Sequence, residues 1–391
     1  MTNPHSAHLS LSFAKNEWGD TAPAFPPSRL QDKNGLRVSE GTAACSGEQR
    51  IPFMMTNVKL TAEGDEHYFG FHSRSVGGFQ FLKNVRYCPV YWSRWRRNPY
   101  RVYGEIVSSD EFKSAVEEEV NSNPAIDHVL YNIHGVSVDP KASFKHAYDF
   151  HANFQATGYL VIPVSWGSFW GPVTKLGYDS SRNNFAPWAG LELAAQFDVF
   201  KSSVPTSLMA HSMGNYITRI IAQNAKNLEV VFENLFMVAA DVRMDMFGTE
   251  FNPAAPQNTA AKSYAAAVDA YLKIPDSELR ENGGYAITQI AGHVHVVWND
   301  EDPALKLREN FQAGWGSNIR EALGKYGNEA EELTTLPYFQ SRVTYHDVSP
   351  LVGGEHGYQW EDYVVELYVE YKSSDNAAVA PAHTVLQKME K

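Results

Sequence analysis

From Ile126 onward the chain alternates short apolar runs with segments whose apolar residues recur at helical spacing, and this alternation restricts the fold more than any other feature. Val129-Leu130-Tyr131-Asn132-Ile133 closes on His134-Gly135, and Phe144, Ala147, Phe150, His151 and Phe154 then trace one helical face. A second run, Tyr159 to Trp166, follows. Trp188, Leu191, Ala195 and Val199 mark another helix, leading into Thr206-Ser207-Leu208-Met209-Ala210. Leu235 to Ala240 and Val294 to Trp298 repeat the strand pattern. Strands joined through helices run parallel, and strands apolar at nearly every position are covered on both faces. The expected class is α/β, a mostly parallel central sheet with helices on both faces. In such sheets reactive groups gather beyond the carboxyl ends of the strands.

The flanks read differently. Residues 1–50 are rich in Pro, Ser, Gly and Asn and predict an extended or mobile arm. Residues 51–372 read as a single domain, whose first strands lie at Phe53 to Leu60 and His67 to Phe71, and 373–391 as a tail. Two later connections, 248–285 and 304–336, are long and helical in composition, as helical insertions after the later strands. Insertions of that length above a reactive face can serve as a lid or simply pad the edge of the fold.

Composition removes several classes. At 391 residues and 43% hydrophobic the chain can bury a large core, while its net charge of −12 argues against a nucleic-acid partner, which would call for clustered Lys and Arg. No run approaches the ~18 apolar residues of a transmembrane segment. The first residues carry neither the basic nor the apolar region of a secretory signal, and two cysteines, Cys45 and Cys88, are too few for a disulfide scaffold. The expectation is a soluble, cytoplasmic protein.

Within this frame one short motif carries chemistry. Ser212 stands in Met209-Ala210-His211-Ser212-Met213-Gly214-Asn215, between a strand bounded by Pro205 and a helix marked by Ile217, Ile220 and Ile221. A nucleophile elbow places its Ser on a sharp strand-to-helix turn, so small residues must surround it; Ala210 and Gly214 hold those positions. A plain turn also sets Ser beside Gly, and only the strand before and the helix after separate the two readings.

A serine hydroxyl needs a His to take its proton and a carboxylate to orient that His. Among fourteen histidines, His356 lies in Gly353-Gly354-Glu355-His356-Gly357-Tyr358, a loop flexible enough to turn the ring inward before a helix from Trp360 to Tyr371. It is assigned as general base, and His346, at a strand end beside Asp347, as structural. Three carboxylates follow strands. Asp302, ahead of Pro303-Ala304-Leu305, ranks first, then Asp300, then Asp241, although each could instead cap a helix or order a loop. Oxyanion donors would be the backbone N–H groups of Met213 and Val136, and Trp166, Phe169, Trp170 and Tyr178 would wall an apolar pocket. His134 and His211 read as packed neighbours rather than catalysts.

Taken in order, His134-Gly135, Val164-Ser165-Trp166-Gly167-Ser168, Tyr178-Asp179, Ala210 to Asn215 and Ala239-Ala240-Asp241 resemble the α/β-hydrolase family of unknown function that carries an Ala-His-Ser-Met-Gly-Asn nucleophile motif. The likeness runs from about Phe53 to Tyr368. Asp302-Pro303-Ala304-Leu305-Lys306-Leu307 is similar to that family's later Asp-x-Ala-Leu segment. Two departures, Val136-Ser137 after His134-Gly135 and Gly167 after Trp166, alter the pocket rim. The resemblance implies an α/β-hydrolase fold and esterase or lipase-like chemistry: a Ser-His-Asp triad, an acyl-enzyme, a small-molecule or lipid-like ester as substrate, and no cofactor. Two other classes stand against it. His293-Val294-His295 with Asp300 could grip a metal ion in a metal-dependent hydrolase, since alternate residues of a strand share a face, and a non-catalytic binding protein could keep the same fold.

Overall fold

A computed structural model describes residues 49–63, 66–70, 76–89, 100–153, 158–168, 174–225, 229–247, 284–312 and 322–372. The expected arm before 49, the tail from 373, nearly all of the first helical insertion, and Cys45, Phe154, Phe169 and Trp170 lie outside the described residues.

Among the described residues eleven strands form one sheet: β1 (Gln49–Val58), β2 (Thr61–Glu63), β3 (Glu66–Gly70), β4 (Val76–Pro89), β5 (Tyr100–Val107), β6 (His128–Ile133), β7 (Tyr159–Ser165), β8 (Thr206–His211), β9 (Phe232–Val238), β10 (Ala291–Trp298) and β11 (Val343–Asp347). Their order is β11-β10-β9-β8-β6-β7-β1-β4-β5-β3-β2. From β11 to β1 every pair is parallel, whereas β4, β5, β3 and β2 extend the sheet antiparallel.

Period-two alternation explains how the central strands can be apolar throughout. Val129, Tyr131 and Ile133 of β6 and Leu160, Ile162 and Val164 of β7 enter one core, while Leu130, Tyr159 and Val161 enter the other. Over the first core lie α1 (Ser109–Ser122), α4 (Ala186–Ala195) and α5 (Gly214–Asn224); the second is covered by α2 (Pro140–Asn153) and α7 (Asp362–Glu370). Two further helices are α3 (Lys175–Ser180) and α6 (Pro303–Gln312).

Helix α1 has no counterpart among the sequence expectations. Its apolar stripe is only Phe112, Val116 and Val120, one residue per turn among charges, yet all three are buried. At ~1.5–3 kcal/mol for each fully buried side chain, that stripe is enough to seat a helix that Ser108 caps by accepting from the Glu111 N–H. The helix expected from Trp188, Leu191, Ala195 and Val199 is present as α4, but its buried face differs. Ala186, Ala189, Gly190 and Leu193 are buried, Trp188 and Leu191 are half-buried, Ala195 is exposed, and Val199 belongs to a separate turn, Phe197–Phe200. The cause is close packing: a Cβ on Gly190 would come within 2.6 Å of Ile220 in α5, so the small residues must face inward. The segment 304–336 is entered by α6 and holds a second helix, Gly327–Leu333. No helix among the described residues is long and apolar enough to cross a membrane.

Burial also sets a pH dependence of the fold. His134, His128 and His346 sit inside, and desolvation lowers their pKa values to about 3, about 4 and about 4. A histidine whose folded pKa lies below its unfolded value of ~6.5 stabilises the fold fully above that value and loses the contribution as pH falls toward the folded one. The urea midpoint should therefore be flat from pH 8 to 7 and fall below pH 6.5, as the unfolding free energy drops by up to ~1.4 kcal/mol per pH unit for each histidine. A midpoint unchanged between pH 7 and 5 would contradict it.

Candidate active site

The end of β8 turns into α5 at one strained residue. Ser212 has φ +52°, a left-handed conformation that costs a non-glycine residue on the order of 1–3 kcal/mol and persists only where the surroundings enforce it. They do so here. The Ser212 N–H donates to the Val238 carbonyl (2.9 Å), and the Ser212 carbonyl accepts from the Asp241 N–H (3.1 Å) and from Asn215 Nδ2 (3.2 Å). Asn215, wholly buried, also donates to the carbonyls of Ala210 (2.8 Å) and Val238 (3.2 Å), stitching the turn to its own strand and to β9. Gly214 packs against the carbonyl of Ile133, where a Cβ would collide with backbone. Gly135 approaches from the end of β6: a Cβ there would lie 2.8 Å from Ser212 Cβ and 3.3 Å from its Oγ. Both glycines are required by contact with the turn rather than by backbone conformation. Val136 directly follows Gly135 and Met213 directly follows Ser212, and among the described residues neither N–H makes a backbone–backbone hydrogen bond.

His356 Nδ1–H donates to Asp302 Oδ2 at 2.7 Å. The other oxygen of Asp302 accepts from the N–H groups of Ala304 (2.9 Å) and Leu305 (3.0 Å), so the wholly buried carboxylate caps α6 and orients the imidazole together. Asp300 is exposed and places its backbone N–H on Ser349 Oγ, 3.0 Å away. Asp241 is buried but spent elsewhere. Arg308 of α6 pairs with its Oδ1 at 2.5 Å, Tyr178 donates to its Oδ2 at 2.8 Å, and Arg182 stands 3.5 Å from Oδ1. Burial, with that carboxylate alongside, pushes the Tyr178 hydroxyl above its ordinary pKa. Asp241 thus links α6 and the helix carrying Tyr178 to the end of β9.

The remaining candidates fall into supporting positions. Trp166 is wholly buried; its Nε1–H donates to the His134 carbonyl (2.7 Å), and its ring stacks on that of His134 at 5.5 Å. His134 Nε2 accepts from the Trp166 N–H (3.1 Å), which together with its low pKa marks a neutral, structural ring. His293 Nε2 meets Thr344 Oγ1 at 2.8 Å, while His295 uses one nitrogen on His346 and the other on Asn234, both at 3.1 Å. Those rings are occupied as packing and hydrogen-bonding groups, and among the described residues no cluster of His, Cys, Asp or Glu is arranged to hold a metal ion.

Asn299, which the sequence reading did not single out, and His211, which it took for a packed neighbour, both hydrogen-bond to the loop carrying His356. Asn299, at the end of β10, donates to the carbonyls of Gly353 (2.7 Å) and Glu355 (2.9 Å). His211 Nε2–H donates to the carbonyl of His356 itself at 2.8 Å. Position alone, at a strand end next to an assigned residue, is the only sequence signal that either one offers.

The family comparison agrees with this architecture. A family model described as alpha/beta hydrolase of unknown function (DUF900) matches residues 108–309, just over half of the chain. Among solved structures, the crystal structure of TT1662 from Thermus thermophilus is similar at 12% identity and a TM-score of 0.32, over 65% of this chain and 91% of that one. No curated protein matches.

Proposed function

Since the chain belongs to the alpha/beta hydrolase family of unknown function matched over residues 108–309, and so has the α/β-hydrolase fold, we propose that it is a serine hydrolase that cleaves a carboxylic ester through Ser212, His356 and Asp302. The observation that carries this reading is a strained serine at the β8–α5 turn combined with a histidine held on a buried carboxylate at the same end of the sheet. In this mechanism Ser212 Oγ attacks the ester carbonyl carbon while His356 Nε2 takes its proton, Nδ1 being committed to Asp302. The negative charge that develops on the carbonyl oxygen is met by the N–H groups of Met213 and Val136, an interaction worth about 3–4 kcal/mol per donor. His356 then gives its proton to the departing alcohol as the carbon–oxygen bond breaks, leaving the acyl group on Ser212. Water, deprotonated by His356, attacks that acyl carbon; Ser212 leaves with the proton and the carboxylic acid is released. No step calls for a cofactor. The substrate class is a small-molecule or lipid-like ester.

The test is covalent labelling with a fluorophosphonate probe, followed by mass spectrometry. A single adduct on the Ser212 peptide and turnover of p-nitrophenyl esters are expected, and absence of both rejects the proposal. Histidine substitutions sharpen it. His356→Ala should lower kcat by at least ~10³-fold with the fold intact, because triad members act as a unit. His346→Ala should chiefly reduce stability by taking a partner from buried His295. If the two variants exchange behaviours, the base is wrongly assigned.

A further inference from the structure

We infer that His211 is a positioning residue for the catalytic base, registering the His356 loop against the nucleophile through one side-chain-to-backbone hydrogen bond. The inference rests on the serine-hydrolase reading and adds to it a residue that touches no reacting atom. His211 is the last residue of β8 and immediately precedes Ser212, so it is fixed by the same backbone that fixes the hydroxyl. Its Nε2–H donates to the His356 carbonyl at 2.8 Å, and the two rings lie 4.8 Å apart. The base loop is therefore held at three points: its ring on Asp302, the carbonyls of Gly353 and Glu355 on Asn299, and its own carbonyl on His211. Asp302 and Asn299 both follow β10. Among the described residues His211 alone ties the loop to the strand that carries the nucleophile, and so it fixes the separation of Ser212 and His356 more directly than the other two.

The state of the ring matters as well as its reach. A carbonyl accepts only from a protonated nitrogen, so Nε2 carries the hydrogen and the buried, unpartnered Nδ1 is the bare nitrogen of a neutral imidazole. Burial, His356 alongside, and the nearby His146 and His134 all disfavour its charged form. A neutral neighbour lets His356 become a cation during the reaction without like-charge repulsion at 4.8 Å. A glutamine at 211 could reproduce the N–H donor without charge. Leucine removes the donor at similar volume, and asparagine retains it on a side chain one methylene too short.

The experiment compares H211Q, H211L and H211N with the wild type by fluorophosphonate labelling rate, by kcat and KM on one p-nitrophenyl ester, and by Tm. H211L and H211N should lose ~10–100-fold in labelling rate and kcat with KM nearly unchanged, since a misplacement of ~1 Å costs about 100-fold. H211Q should stay within about threefold of wild type. A merely structural residue would lower Tm and leave kcat per folded molecule alone. If H211L is folded and labels at the wild-type rate, or H211Q is as slow as H211L, the positioning role is wrong while the serine reading stands. If H211L does not fold, H211N against H211Q decides in the same way. A wild type that never labels removes the serine reading and this inference with it.

Discussion

Ser212→Ala is expected to abolish fluorophosphonate labelling and to lower kcat for any ester substrate by at least ~10³-fold, leaving only what binding and oxyanion donors supply. The protein should stay folded, because the bonds that enforce the turn belong to the Ser212 backbone and to Asn215, not to the hydroxyl. Measurement of kcat together with the far-ultraviolet spectrum and Tm tests both halves. A folded variant that turns over ester at the wild-type rate would place the nucleophile elsewhere.

The second large effect discriminates between carboxylates. Asp302→Asn should cut kcat by about 10⁴-fold with little change in KM, because an amide facing Nδ1 no longer fixes the tautomer or stabilises the imidazolium. Asp241→Asn should act on the fold. It removes the charge opposite Arg308 and Arg182 in a site where the carboxylate is 1% exposed, and breaking a buried pair of this kind costs about 3–5 kcal/mol. Urea titration and steady-state kinetics on both variants separate the roles. An inactive, fully stable Asp241→Asn beside an active Asp302→Asn would reverse them.

How much of this was legible beforehand depended on range. Strands such as β6 and β8 announce themselves because both faces are buried and the run is apolar at almost every step. The turn at Ser212 is equally local: small residues, a strand before and a helix after. What stayed hidden is of two kinds. Helix α1 buries one residue per turn, too narrow a stripe to stand out among its charges. The other kind is partnership over distance. Asp241, Asp300 and Asp302 all follow strands, and local pattern ranked Asp302 first only through the Pro303-Ala304-Leu305 turn after it; what separates them is distant, since Arg308, 67 positions beyond Asp241, occupies one of them, and His356, 54 positions beyond Asp302, contacts another. The His211 bond to His356 spans 145 positions and leaves no periodic trace in the chain.

In the proposed triad, the double use of Asp302 ties reactivity to local folding. One carboxylate oxygen closes the first turn of α6 and the other aims the imidazole, so fraying of that single turn releases the base's partner while β8, α5 and Ser212 remain in place. Openings of this kind occur well below the free energy of global unfolding. For the proposed triad, the fraction of molecules competent to react at any instant would follow the closing equilibrium of one helical turn, and would fall on mild warming or in dilute denaturant before the sheet melts.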